Sequence, residues 1–155
     1  MGANEVEKKN RISIGLIVSR EDLDKNPLFP ADVIKEIQEM PYYLLIFVAR
    51  EDVVKISCLP SQTNNIKKIL IKLMEFSPDL VKGISSILNE LNLSKNILHT
   101  TGLCYEMEKC FYETYLNWEK VKSNKVSVDT INKKFMALSK VLSVNIEDIP
   151  LFSTN

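Results

Sequence analysis

Three residues of this 155-residue chain carry soft-donor chemistry within a short span: His99, Cys104 and Cys110. Their spacing, H-x4-C-x5-C, offers three donors of the kinds that hold zinc. Structural zinc sites use four, and Cys58 is the only remote addition. Cysteine also packs as a small hydrophobe, so free or half-buried thiols are the competing reading. An odd cysteine count in a chain without an export signal favours free thiols. A Cys–His nucleophile pair requires the imidazole beside the sulfur. His99 and Cys104 differ by an odd number of positions, so on a regular strand they face opposite sides. The carboxylates Glu106, Glu108 and Glu113, and the pair Glu51 and Asp52, fall near polar turns. Such turns lack the burial that general acid–base work needs, and these groups are expected in solvent. Glycines at 2, 15, 83 and 102 are too scattered for a phosphate-cradling loop. The inventory leads to no catalytic residue, no metal and no cofactor, with His99, Cys104 and Cys110 as weak metal candidates.

Aromatic residues concentrate in one segment: Tyr105, Phe111, Tyr112, Tyr115 and Trp118. They suit a sheet core with cross-strand pairs, or the lining of a pocket or interface. Twenty basic residues balance twenty acidic ones. A nucleic-acid binder carries a basic excess or face, and Lys67, Lys68 and Lys72 are too few to make one. The longest apolar run, YYLLIFVA (Tyr42 to Ala49), is of strand length and far below the ~20 residues of a membrane span. Residues 1–10 are polar and charged, without a signal-peptide core or a myristoylation context. They read as a disordered leader on a cytoplasmic protein with no membrane or nucleic-acid partner.

The elements that position these groups follow from periodicity. RISIGLIVS (Arg11 to Ser19) is a strand, and Arg20 to Pro30 is a polar loop with two prolines. Val33, Ile34, Ile37 and Met40 form one face of a helix over 30–40, which Pro41 ends. Tyr42 to Glu51 and Val53 to Pro60 form a hairpin, and Ile66 to Phe76 is a further strand. Ser77 then caps a helix, Pro78 takes its first position, and Asp79 suits the positive end of the dipole. Leu80, Val81, Ile84, Ile87, Leu88 and Leu91 are its apolar face. Two strands around residues 97–119 form a hairpin. The stretch KVKSNKVS is a loop, Val128 to Leu142 a helix, and SVNIEDIPLF a last edge strand weakened by Pro150.

The expected class is α+β: an antiparallel sheet with helices on one face, ferredoxin-like βαββαβ over 63–155, preceded by a βαββ half over 11–62. FPADVIKEI from Phe29 and FSPDLVKGI from Phe76 align in register, so the first half reads either as a degenerate copy of the second or as an unrelated helix start.

The βαββαβ order, with LMEFSPDLVKGISSILNELNLSKNIL, resembles the ACT-domain family and ACT-like domains. Pro78, Leu80, Val81, Ile84, Leu88, Asn96 and Ile97 match its pattern. The resemblance implies a non-catalytic regulatory or sensor domain that binds a small, amino-acid-like metabolite. It also implies self-association, edge to edge or through helices. The implied ligand residues are Phe76, Ser77, Pro78, Asp79, Leu80, Asn96 and Ile97. Phe76 stands where the family has aspartate, and Asp79 where it has the glycine that lets backbone amides approach a ligand. The alternative is a mixed α+β protein-interaction adaptor with no small-molecule ligand, which an exposed apolar patch or sheet edge would mark.

Overall fold

A computed structural model describes residues 10–105 and 109–152. The expected leader lies outside these residues except for Asn10, as do Glu106 and Glu108. The chain is α+β, with two antiparallel sheets and helices. It divides into two units, one comprising Asn65–Asp148 with the segment ending at Ile12. The other comprises Ser13–Asn64 with the segment beginning at Ile149. The chain thus returns to its first unit after the second is complete, which the expected division at 62/63 did not include.

The Ser13–Asn64 unit contains β1 (Ile14–Ser19), α1 (Arg20–Lys25), α2 (Ala31–Glu36), β2 (Tyr42–Ala49) and β3 (Val54–Ser61). Helix α1 replaces part of the expected loop. The Ser19 hydroxyl accepts from the Asp22 amide at 3.1 Å. Glu21 and Asp22 lie in the first turn and Lys25 in the last, matching the helix dipole. Six residues bury only Leu23, too little to leave a periodic signal. Helix α2 ends at Glu36, short of the expected Met40, because Ile37 is already extended at ψ 143°. Tyr43 explains the early exit. Its hydroxyl donates to the Gln38 carbonyl at 2.7 Å and accepts from the Met40 amide at 3.1 Å, tying the connection to the β2 strand. The core of this unit is Val18, Leu23, Tyr43 and Leu45, with Phe29, Ile37 and Met40 packed against it.

The sheet is a meander, β1-β2-β3, antiparallel throughout. Leu151 forms a parallel bridge to Ile17, on the outer edge of β1. The Phe152 amide donates to the Ile17 carbonyl there at 2.7 Å, and the Ile17 amide to Pro150 at 2.9 Å.

The second unit contains β4 (Ile66–Leu73), α3 (Pro78–Glu90), a 3-10 turn at Ser94–Asn96, β5 (Ile97–Cys104), β6 (Cys110–Asn117), α4 (Trp118–Ser123), α5 (Val128–Met136) and β7 (Val141–Asp148). Its strand order is β5-β6-β4-β7, all antiparallel. β6 is inserted between the two strands that α3 connects, which is the split βαβ of a ferredoxin-like sheet. Ile69, Ile71, Leu73, Cys110, Tyr112 and Leu116 of the sheet meet Leu80, Ile84, Ile87 and Leu88 of α3. Ile131 and Phe135 of α5 join the same core. Both long helices therefore cover one face.

β4 stops at Leu73, before the expected Phe76. Helix α4 takes the end of an expected strand and the start of an expected polar loop, capped by Asn117 and burying Trp118 and Val121. α5 ends at Met136 because β7 claims the chain from Val141. Lys140 makes the turn between them at φ 73°. The first unit does not repeat this topology. β1 and β2 are direct neighbours there, whereas the corresponding strands β4 and β5 are separated by β6.

Candidate functional site

A charged cluster lies on the face of the four-stranded sheet turned away from α3 and α5. Register makes it. His99, Tyr115, Lys68 and Glu147 are successive cross-strand partners through β5, β6, β4 and β7. Lys68 is 2% exposed and Glu113 1%. The Lys68 Nζ lies 3.2 Å from Glu113 Oε1 and 3.1 Å from Glu147 Oε1. It also sits 5.6 Å from the centre of the Tyr115 ring, on which His99 stacks at 6.5 Å. The Ile12 amide donates to Glu113 Oε1 at 3.3 Å.

Glu113 was expected in solvent near a turn, and that expectation fails. β6 runs from Cys110 to Asn117, so Glu113 lies mid-strand. Burial pulls the Lys68 ammonium toward neutrality, but Glu113, Tyr115 and Glu147 outweigh it and hold its pKa above the ordinary lysine value. A lysine kept protonated by two carboxylates has no free lone pair for nucleophilic or Schiff-base chemistry. Burial lowers the His99 pKa, with Glu113 opposing the shift, so the imidazole is neutral at pH 7.

Cys104 and Cys110 are direct partners across β5 and β6 and are joined by a disulfide, with Cα atoms 4.0 Å apart. Free thiols were expected here. The hairpin register, which spacing alone does not reveal, makes the two a facing pair. Cys58 is the free cysteine. His99 is five residues back along β5, about 17 Å at strand rise. The three soft donors therefore do not converge, and no group of His, Cys, Asp and Glu among the described residues is arranged to hold a metal. The expectation of free thiols drew on the cytoplasmic reading, and the Cys104–Cys110 disulfide, a bond more usual in oxidising compartments, does not fit it. Among the described residues no helix is long and apolar enough to cross a membrane.

The strand-to-helix turn has the expected local chemistry. Ser77 Oγ accepts from the Leu80 amide at 3.2 Å, Pro78 begins α3, and Asp79 is in its first turn. Leu80 is buried in the core. The Phe76 ring lies over Gly102, where an added Cβ would come within 2.3 Å of Phe76 Cζ. The space beside the turn is thus filled by the protein itself. Asn96 and Ile97 are not in this place. Leu73 pairs with Cys110 and Ile97 with Leu116, putting them at opposite ends of β6, six residues or about 20 Å apart. Asn96 is buried and donates to the Asn92 carbonyl at 3.4 Å. The seven residues implied by the resemblance do not form one site.

A feature without a sequence signal lies on the three-stranded sheet. Ile14, Phe47 and Ile56 are successive cross-strand partners, followed on the same face by Ala49 with Val54. The core built on Val18, Leu23, Tyr43 and Leu45 covers this face as far as Leu16, Phe47 and Cys58, which pack against it. At the other end Ile14 is 47% exposed, Ile56 42% and Val54 61%. β3 has no second strand partner among the described residues.

These features give an α+β chain in which Lys68 pairs with Glu113 and Cys104 with Cys110, Cys58 is free, and Ile14, Val54 and Ile56 are exposed at one end of a sheet. No protein-family model matches the chain, and no curated protein matches it.

Proposed function

We propose that this protein is a non-catalytic binding module that works through the open end of its three-stranded sheet. The observation that carries the reading is the exposed trio Ile14, Val54 and Ile56, on one face with part-buried Phe47 and beside the β3 edge. Apolar side chains exposed singly are ordinary, but a contiguous patch marks an interaction surface. The paired state of Lys68, Glu113, Cys104 and Cys110 also favours binding over turnover.

The test is the fluorescence of a hydrophobic dye added to the dilute chain. Dye binding is expected in the wild type and is lost in an Ile14→Lys/Ile56→Lys variant with an unchanged circular-dichroism spectrum. Equal dye binding in both overturns the reading. The ferredoxin-like sheet order favours a second reading, a regulator that takes a small amino-acid-like metabolite. A metabolite that selects the native state raises Tm. On the first reading, no member of an amino-acid and nucleotide panel does so.

A further inference from the structure

Resting on that reading, we infer that the open β3 edge beside this patch takes a second copy of this chain, paired antiparallel with Ile56 on the two-fold axis and joining the two patches into one. The hydrogen-bond alternation of the β2–β3 hairpin assigns the edge. The Arg50 amide donates to the Val53 carbonyl at 2.9 Å, so Arg50 and Val53 are a bonded pair. Bonded and non-bonded pairs alternate along an antiparallel ladder. Val48–Lys55, Ile46–Ser57 and Leu44–Leu59 are then bonded. Val54, Ile56, Cys58 and Pro60 turn their main-chain groups away from β2. Pro60, which has no N–H, falls on this outward set, where a proline is tolerated.

The outward donors are therefore the amides of Val54, Ile56 and Cys58. An antiparallel copy with Ile56 on the axis opposes Val54 to Cys58 of the second copy and Ile56 to its own image. All three donors then find carbonyl acceptors. With Cys58 on the axis, Ile56 would meet Pro60, which cannot donate. With Val54 on the axis, Ile56 would meet Asp52 of the turn. The Ile56 register also joins the two apolar rows into one, because residues directly opposed across a ladder lie on the same face. At the opposite edge of this sheet, Ile17 already bonds the tail at Pro150 and Phe152, so among the described residues β3 is the edge left open.

Few side chains are involved, far below the about 20–30 residues a side of a permanent interface, so the dimer depends on concentration. Lys55 lies on the other face, opposite Ser57 of the second copy. The two Lys55 side chains are diagonal neighbours whose repulsion salt screens. Added salt therefore strengthens the pairing.

Sedimentation equilibrium across protein concentration, with thiol cross-linking, tests the register. The wild type is expected to self-associate reversibly, and Ile56→Asp to weaken the dimer at least about tenfold by opposing like charges on the axis. Under mild oxidant Val54→Cys gives a covalent dimer through native Cys58. The wild type gives none, because its two Cys58 residues are four positions out of register. A chain that stays monomeric at high concentration, or a wild-type dimer cross-linked Cys58 to Cys58, overturns the inference. A monomer that still binds the dye through Ile14 and Ile56 refutes the dimer alone. Loss of both refutes the binding surface as well.

Discussion

Replacing Lys68 by methionine is the sharpest test of the buried charge cluster. At 3.2 Å from Glu113, the attraction is about 5 kcal/mol at an effective dielectric of 20. Desolvating each ion costs several kcal/mol, so the intact pair contributes little net stability. Breaking it is another matter. Lys68→Met removes the ammonium that lies 3.2 Å from the Glu113 carboxylate, which is 1% exposed and keeps the amide bond from Ile12. The expected cost is about 3–5 kcal/mol. With an m-value of roughly 2 kcal/mol/M, the urea midpoint falls by about 1.5–2.5 M. The double variant Lys68→Met/Glu113→Gln removes the buried charge and keeps an oxygen for the Ile12 amide. It should return to within about 2 kcal/mol of the wild type. Glu147, about half exposed, is solvated without Lys68 and adds little. If the double variant is as unstable as the single, or the single loses under about 1 kcal/mol, the cluster is not organised as argued.

Three further predictions follow from neighbouring features. Reducing Cys104–Cys110 reopens a loop of about seven residues and lowers stability by about 2 kcal/mol, read as a Tm fall of roughly 4–8 °C by calorimetry. An unchanged Tm would show that the bond constrains nothing. The raised Lys68 pKa gives stability that is fully present below the unfolded value near 10.5 and lost as pH rises through the folded value above it. The lowered His99 pKa gives stability present above 6.5 and lost as pH falls toward the folded value. Denaturation midpoints across pH should show an alkaline limb absent from Lys68→Met and an acid component absent from His99→Gln. Finally, Gly102→Ala should destabilise by about 1–2 kcal/mol by displacing the Phe76 ring, and do no harm in a Phe76→Ala background. Equal effects in both backgrounds would remove Phe76 as the cause.

The helices and strands were legible where apolar spacing was long enough to count. α3 was read from its serine cap, its proline and six apolar positions; the structure has the cap and the proline and buries Leu80, Ile84, Ile87 and Leu88, while Leu91 is the C-cap and Val81 is partly exposed. α1 and α4 were not legible, because each has six residues and buries one or two side chains. Their caps, Ser19 and Asn117, were the available signals. Lys68 was read inside a strand, but Glu113 was read near a turn. A charge inside a strand is either on an open face or paired, and composition does not say which. The disulfide was hidden for the same reason: Cys104 and Cys110 face each other only once the hairpin register is known.

Register is therefore the level at which this protein's chemistry is decided. On the four-stranded sheet it aligns His99, Tyr115, Lys68 and Glu147 into a row that runs from buried Lys68 and Tyr115 out to exposed Glu147. On the three-stranded sheet it aligns Ile14, Phe47 and Ile56 into an apolar row whose two ends, Ile14 and Ile56, are exposed. A one-residue slip of β3 would send Ile56 to the opposite face and bring Lys55 into the apolar row. The Arg50–Val53 turn that prevents the slip also sets which amides point off the edge. The uncovered patch and the open hydrogen-bond donors thus have a single cause, the β2–β3 turn. A substitution that shifts that turn should remove both properties together, while Ile56→Lys should remove the patch and, at concentrations where the chain is monomeric, leave the edge amides exchanging as in the wild type.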